Sequence, residues 1–148
     1  MKKLFRNKLL LTLTLFAFTV PVSAVMATTH EMGYRVRAKI PFAFNAGETP
    51  LPAGNYVITR TSDVEPSMKI TDESKNIDVY LVVDDMHETM NLQAPELIFH
   101  KIGGKDFLSE IKTENTIYTF ETTPLEKQLE KNGEKFGTHK LTGMHIKD

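Results

Sequence analysis

Residues Tyr34–Arg60 read YRVRAKIPFAFNAGETPLPAGNYVITR. Tyr34, Val36, Ala38, Ile40, Phe42 and Phe44 occupy even positions and Arg35, Arg37 and Lys39 odd ones. This period of two marks a strand with one buried face. Pro41 has no N–H to donate and so marks an edge or a bend within that strand. Pro52 suits the second position of a type I turn begun at Leu51, and Gly54 suits its fourth, where glycine is required if φ is positive. Tyr56, Val57 and Ile58 then begin a returning strand. The stretch predicts an antiparallel β pair with Phe42 and Phe44 in the core.

Six further strand-like segments belong with this pattern: Tyr56–Arg60, Met68–Thr71, Ile77–Val83, Glu96–Ile102, Phe107–Lys112 and Thr116–Glu121. Asp72–Asn76 is a polar connection of hairpin length, and Gly103-Gly104 can accept the positive φ of a tight hairpin turn. Ile77, Val79, Leu81 and Val83 form an apolar face opposite Asp78, Tyr80, Val82 and Asp84. Leu97-Ile98-Phe99-His100 does not alternate, as expected of a central strand covered on both sides. After the glycines, alternation predicts Phe107 and Ile111 inward. The expected fold is all-β, an antiparallel meander of about seven to eight strands in a small barrel or sandwich.

One short helix is expected near residues 124–132. Thr123-Pro124-Leu125-Glu126 combines a threonine N-cap, a proline at the first helical position and a glutamate at the third, which is a capping box. Leu125 and Leu129 share one face of it, Glu126 and Glu130 another, and Asn132-Gly133 ends it. Phe136, Leu141, Met144 and Ile146 give the C-terminal tail the material for a last strand.

Residues 1–27 have the layout of a secretory signal peptide: a basic start (Lys2, Lys3, Arg6, Lys8), an apolar run from Leu9 to Val20, and small residues before cleavage after Ala24 or Ala27. A run of 12 residues falls short of the roughly 20 that span a bilayer. The mature chain, residues 28–148, is therefore expected to be a single secreted or periplasmic β domain with no transmembrane segment. With no cysteine, lipidation at the cleavage site, disulfides and thiolate chemistry are excluded. Cleavage removes four of the 18 basic residues and none of the 19 acidic ones. The resulting acidic balance argues against nucleic acid as a partner, because phosphate binding needs a concentrated basic face.

Three motifs occur in order: Ile40-Pro41-Phe42-Ala43-Phe44, Leu51-Pro52-Ala53-Gly54-Asn55-Tyr56, and Leu97-Ile98-Phe99-His100-Lys101-Ile102-Gly103-Gly104-Lys105-Asp106-Phe107-Leu108. In them the chain resembles a family of small secreted bacterial β-rich proteins with "PF-x-F", "LPAG-x-Y" and "F-x-K-x-G" motifs, the last followed by "FL". The resemblance implies a compact exported β domain and carries over no functional residue.

Catalytic signals are weak. Ser62, Ser67, Ser74 and Ser109 lie in no Gly-x-Ser-x-Gly elbow. Asp84-Asp85 and the pair Glu96 and Glu110 read as solvated carboxylates, and Gly103-Gly104-Lys105 lacks the remainder of a phosphate-binding loop. His100 reads as a hydrogen-bonded or surface imidazole, while His139 and His145 receive no role. No catalytic residue and no cofactor-binding residue is assigned.

Two metal-ligand sets are compatible with copper. Met86, His87 and Met90 place thioether and imidazole within one predicted loop. Cleavage after Ala27 would leave Thr28-Thr29-His30 as the first three residues. Their amine, amides and ring could then hold Cu(II) or Ni(II) in a square plane. The expected function is a non-enzymatic exported β domain that binds a small ligand or protein partner. The alternatives are a structural or envelope-associated protein and a Cu(II)/Ni(II)-binding protein.

Overall fold

The computed structural model describes residues 34–61, 66–72, 74–90 and 94–146. The expected signal peptide and Thr28, Thr29 and His30 lie outside the described residues. The first alternating stretch forms β1 (Arg35–Ile40), stops at Pro41, and resumes as β2 (Phe44–Ala46). Phe44 is buried; Phe42 is half-buried and packs against the core from its rim. A short β3 (Thr49–Leu51) pairs back on β2 before β4 (Gly54–Arg60) returns along β1. The chain continues through β5 (Ser67–Asp72), β6 (Ile77–Glu88), β7 (Glu96–Ile102), β8 (Lys105–Lys112) and β9 (Thr116–Phe120). Helix α1 (Pro124–Lys131), β10 (Phe136–Thr142) and β11 (Met144–His145) complete it. No helix among the described residues is long and apolar enough to cross a membrane.

The all-β fold with one short C-terminal helix is as the sequence pattern predicts, with more strands than expected. Neighbours run β10-β7-β8-β9-β6-β5-β4-β1-β11. Every pair along this path is antiparallel. The single parallel contact among the described residues sets Asn45 of β2 beside Phe107 of β8. The order is not a simple meander, because β6 pairs with β9 and not with β7. Although β10 and β11 stand at opposite ends of the order, Gly143 alone separates them in the chain. A Cβ at Gly143 would lie 2.6 Å from Val36 Cγ1, a distance that no side chain tolerates. That close approach lets one terminal segment pair with both β7 and β1.

The inward faces merge in one core. Val36 and Ile40, Tyr56 and Ile58, Met68 and Ile70 bring it in from β1, β4 and β5; Leu81, Phe99, Ile111 and Phe120 close it from the other side. Phe44 sits at its aromatic centre, edge-on to Tyr56 at 5.3 Å and to Phe99 at 5.4 Å, the perpendicular geometry that ring quadrupoles favour.

Phe107 departs from the expected alternation. The β7–β8 register shifts between Ile98 and Phe99, and one extra residue in β8 gives the two sides of the bulge opposite parity. Ile111 therefore faces the core as predicted. Phe107, opposite His100, faces the other side, where it is buried near the start of α1. Ser109 at the bulge donates its hydroxyl to the Ile98 carbonyl at 3.0 Å. Strand β7 is covered on both faces, as its unbroken apolar run predicts.

The capping box forms: Glu126 N–H donates to Thr123 Oγ1 at 3.2 Å, and Thr123 N–H to Glu126 Oε2 at 2.8 Å. Leu125 is nonetheless exposed, and the buried residue of the helix is Glu126. Gly54 also differs from expectation, since its φ is not positive. It is closely packed: a Cβ there would lie 3.2 Å from both Asp72 Oδ2 and the Tyr56 ring, tighter than ordinary contact, so those neighbours would have to give way.

Candidate functional site

Strand β6 buries Val79, Leu81 and Val83, which turns Tyr80 and Val82 outward; these are 64% and 79% exposed. Two large apolar side chains on alternate positions of one strand make a patch that the fold itself leaves bare. Beside them lies a cleft of about 440 Å³, walled by the β2–β3 turn at Gly47 and Glu48 and by Thr123, Pro124 and Lys127 at the start of α1. A second cleft of about 250 Å³ shares Gly47, Glu48, Thr123 and Pro124 with the first and extends to Leu125 and Phe107.

Local conformation shapes this groove. Gly47 has φ 58° and comes so close to the core that a Cβ would lie 3.0 Å from Leu81 Cδ2. The turn is thereby held down at the groove floor. Proline at position 50 of the short β3 keeps that strand from donating at its centre, which blunts it as an edge for further pairing. At the rim, Lys127 Nζ stands 3.6 Å from Glu121 Oε1, an exposed pair that contributes little to stability. The groove sets Tyr80, Val82 and Pro124 beside Glu48, Glu121 and Lys127, an amphipathic recess next to the apolar patch.

The three histidines His100, His139 and His145 each have a structural neighbour. His100 Nδ1 lies 3.6 Å from Glu126 Oε1, and its ring centre lies 5.0 Å from that of Phe136. His139 Nδ1 lies 2.8 Å from Asp106 Oδ1 but out of line for a hydrogen bond, under the half-buried ring of Phe42. His145 packs against Tyr34 at 4.7 Å between ring centres. Burial pushes the Tyr34 phenol up from its ordinary range.

Asp72 is fully buried and accepts hydrogen bonds from the Ser74 hydroxyl at 2.5 Å and the Ser74 N–H at 3.0 Å; Lys75 Nζ lies 3.2 Å from its other oxygen. The Ser74 hydroxyl first, and Lys75 with it, hold this carboxyl below the usual carboxylate range against the opposing effect of burial. Asp72 is therefore a hairpin lock, and its buried charge serves stability.

Met86, His87 and Met90 are not brought together. The predicted loop is strand up to Glu88, so Met86 and His87 point to opposite sides of β6. His87 Nε2 instead lies 2.7 Å from Asp85 Oδ2, and Met90 is 91% exposed. Among the described residues no three His, Asp or Glu side chains gather as a metal site. The Tyr80–Val82 patch was not assigned from sequence. Its signal was the pair of apolar residues on the polar face of β6, which gains meaning only because, among the described residues, neither α1 nor another strand covers it. Comparison of the chain with protein-family models, with curated proteins and with solved structures gives no match.

Proposed function

We propose that this protein is an exported, non-enzymatic β domain that binds a protein partner through the Tyr80–Val82 face and the groove beside it. The observation that carries this reading is the exposure of two neighbouring apolar side chains at 64% and 79% next to an open cleft. The filled core supports a surface role, since its centre is occupied by Tyr56, Phe99 and Phe44. The described serines support a non-enzymatic one: Ser67 and Thr61 contact each other through their hydroxyls, Ser74 binds Asp72, and Ser109 binds the Ile98 carbonyl.

A photoactivatable residue at position 82, introduced in the protein as exported by its own bacterium, tests the reading. One discrete adduct is expected, and it should disappear when Tyr80→Asp is added. Stability should change by no more than about 0.5 kcal/mol, as for other exposed positions. No adduct, or the same adduct from position 138 on β10, would overturn the proposal. Mass spectrometry of the same exported material reads the first residue, Val25 or Thr28. A start at Thr28 would also place His30 third, the condition for the amino-terminal Cu(II) chelate.

A further inference from the structure

A cleft of about 530 Å³ lies between the β7–β8 hairpin and the link from α1 to β10, and it shares no lining residue with the Tyr80–Val82 groove. Its walls are largely bare backbone. Gly104 and Gly133 have φ of 78° and 74°, and a Cβ on either would meet nothing within 4 Å. The Gly133 N–H is donated to the Glu130 carbonyl, so it is the uncovered Gly104 at the hairpin tip that offers backbone N–H and carbonyl groups, the combination that suits hydroxyl groups, which donate and accept at once.

Phe136 stands in the same cleft with 57% of its surface exposed. The His100 ring, itself 3.6 Å from Glu126, braces it at a tilt of 57°. The phenyl face is thus oriented in advance, which lowers the entropy lost on stacking. Lys101 and Lys135 also line the cleft, and neither has a side-chain ion-pair partner among the described residues. Glu134 is the one acid among the described residues of the lining. Three of the last four carbonyls of α1, those of Gln128, Leu129 and Glu130, accept from the N–H groups of Asn132, Glu134 and Gly133, so the two lysines face a helix end whose carbonyls are mostly satisfied.

An apolar ring face, exposed backbone for hydroxyls and two cations together describe one ligand class. We propose that this cleft binds an acidic saccharide, with a pyranose ring lying on Phe136 and its carboxylate between Lys101 and Lys135. The volume falls in the range of small-molecule sites and exceeds what a single inorganic anion needs. The overall acidity of the chain opposes long polyanions such as nucleic acid, which leaves short uronate-type sugars as the fitting ligand.

Calorimetric titration of the exported protein with a set of uronate oligosaccharides, their neutral counterparts and sodium sulfate tests this. At least one uronate should bind, its neutral counterpart more weakly, and sulfate not measurably. Phe136→Ala should weaken uronate binding about tenfold, the loss of one ring contact. Lys135→Ala should weaken it a few-fold and reduce its salt dependence. Both side chains are exposed, so melting curves should match wild type, and Thr138→Ala should bind normally. Absence of binding across the uronates would overturn the proposal, and so would sulfate binding of equal strength or a Phe136→Ala protein that binds like wild type.

Discussion

Strands β6 and β7 are both rich in apolar residues, yet they meet opposite fates. On β6 the second face stays bare, with Tyr80 and Val82 in solvent; on β7 the second face is closed, with Ile98 at 5% and Ile102 at 0% exposure. The difference is α1. Its capping box starts the helix where it can pack across β7, and Glu126 meets His100 there. Apolar residues on the second face of a strand become either a second small core or a candidate interface, depending on what the chain lays over them later.

The sharpest way to break this comparison is to truncate one residue from each side of it. Phe107→Ala, beneath α1, should cost about 3–5 kcal/mol in chemical denaturation, as for other buried phenylalanines. Tyr80→Ala should cost almost nothing. Equal losses would mean that the two faces are not energetically distinct.

Acid should distinguish them next. The folded pKa of Asp72 is depressed, so its stabilising contribution to the β5–β6 hairpin is fully present above the ordinary value of 3.8. It is lost as pH falls from there through the folded-state value. The denaturation midpoint of the wild type should therefore drop in that window, and Asp72→Asn should show a smaller drop. Parallel pH profiles for the two proteins would remove Asp72 from this role.

A smaller effect comes from loosening the helix. Thr123→Ala should cost about 1 kcal/mol by removing one cap bond. Hydrogen exchange should then quicken in β7 and β8 and stay unchanged in β5 and β6. Uniform quickening would show that α1 is coupled to the entire sheet and does not act as a local cover.

Much of the fold was legible in the residues. Period-two patterning placed β1, β6 and the return at β4, the paired glycines at 103 and 104 took the positive φ values expected of them, and Thr123-Pro124-Leu125-Glu126 set the start of α1. Where local patterns were misleading, a contact distant in sequence had intervened. The bulge opposite Ile98 and Phe99 turned Phe107 to the helix side. Gly54 proved to sit tightly against Asp72, 18 positions away in the chain, and Asp85–Glu88 were drawn into strand by pairing with β9.

Of the candidate sites, the sequence supplied residue types and could not supply convergence. Alternation, turn propensity and capping are energies between neighbours in the chain, so the sequence by itself determined strand faces, hairpin turns, the helix start and the absence of thiol chemistry. Register, coverage and clefts depend on which distant segments meet. Tertiary structure alone therefore decided that β6 lies beside β9, that Gly143 lets the last segment reach both ends of the sheet, and that Tyr80, Val82 and Phe136 remain exposed.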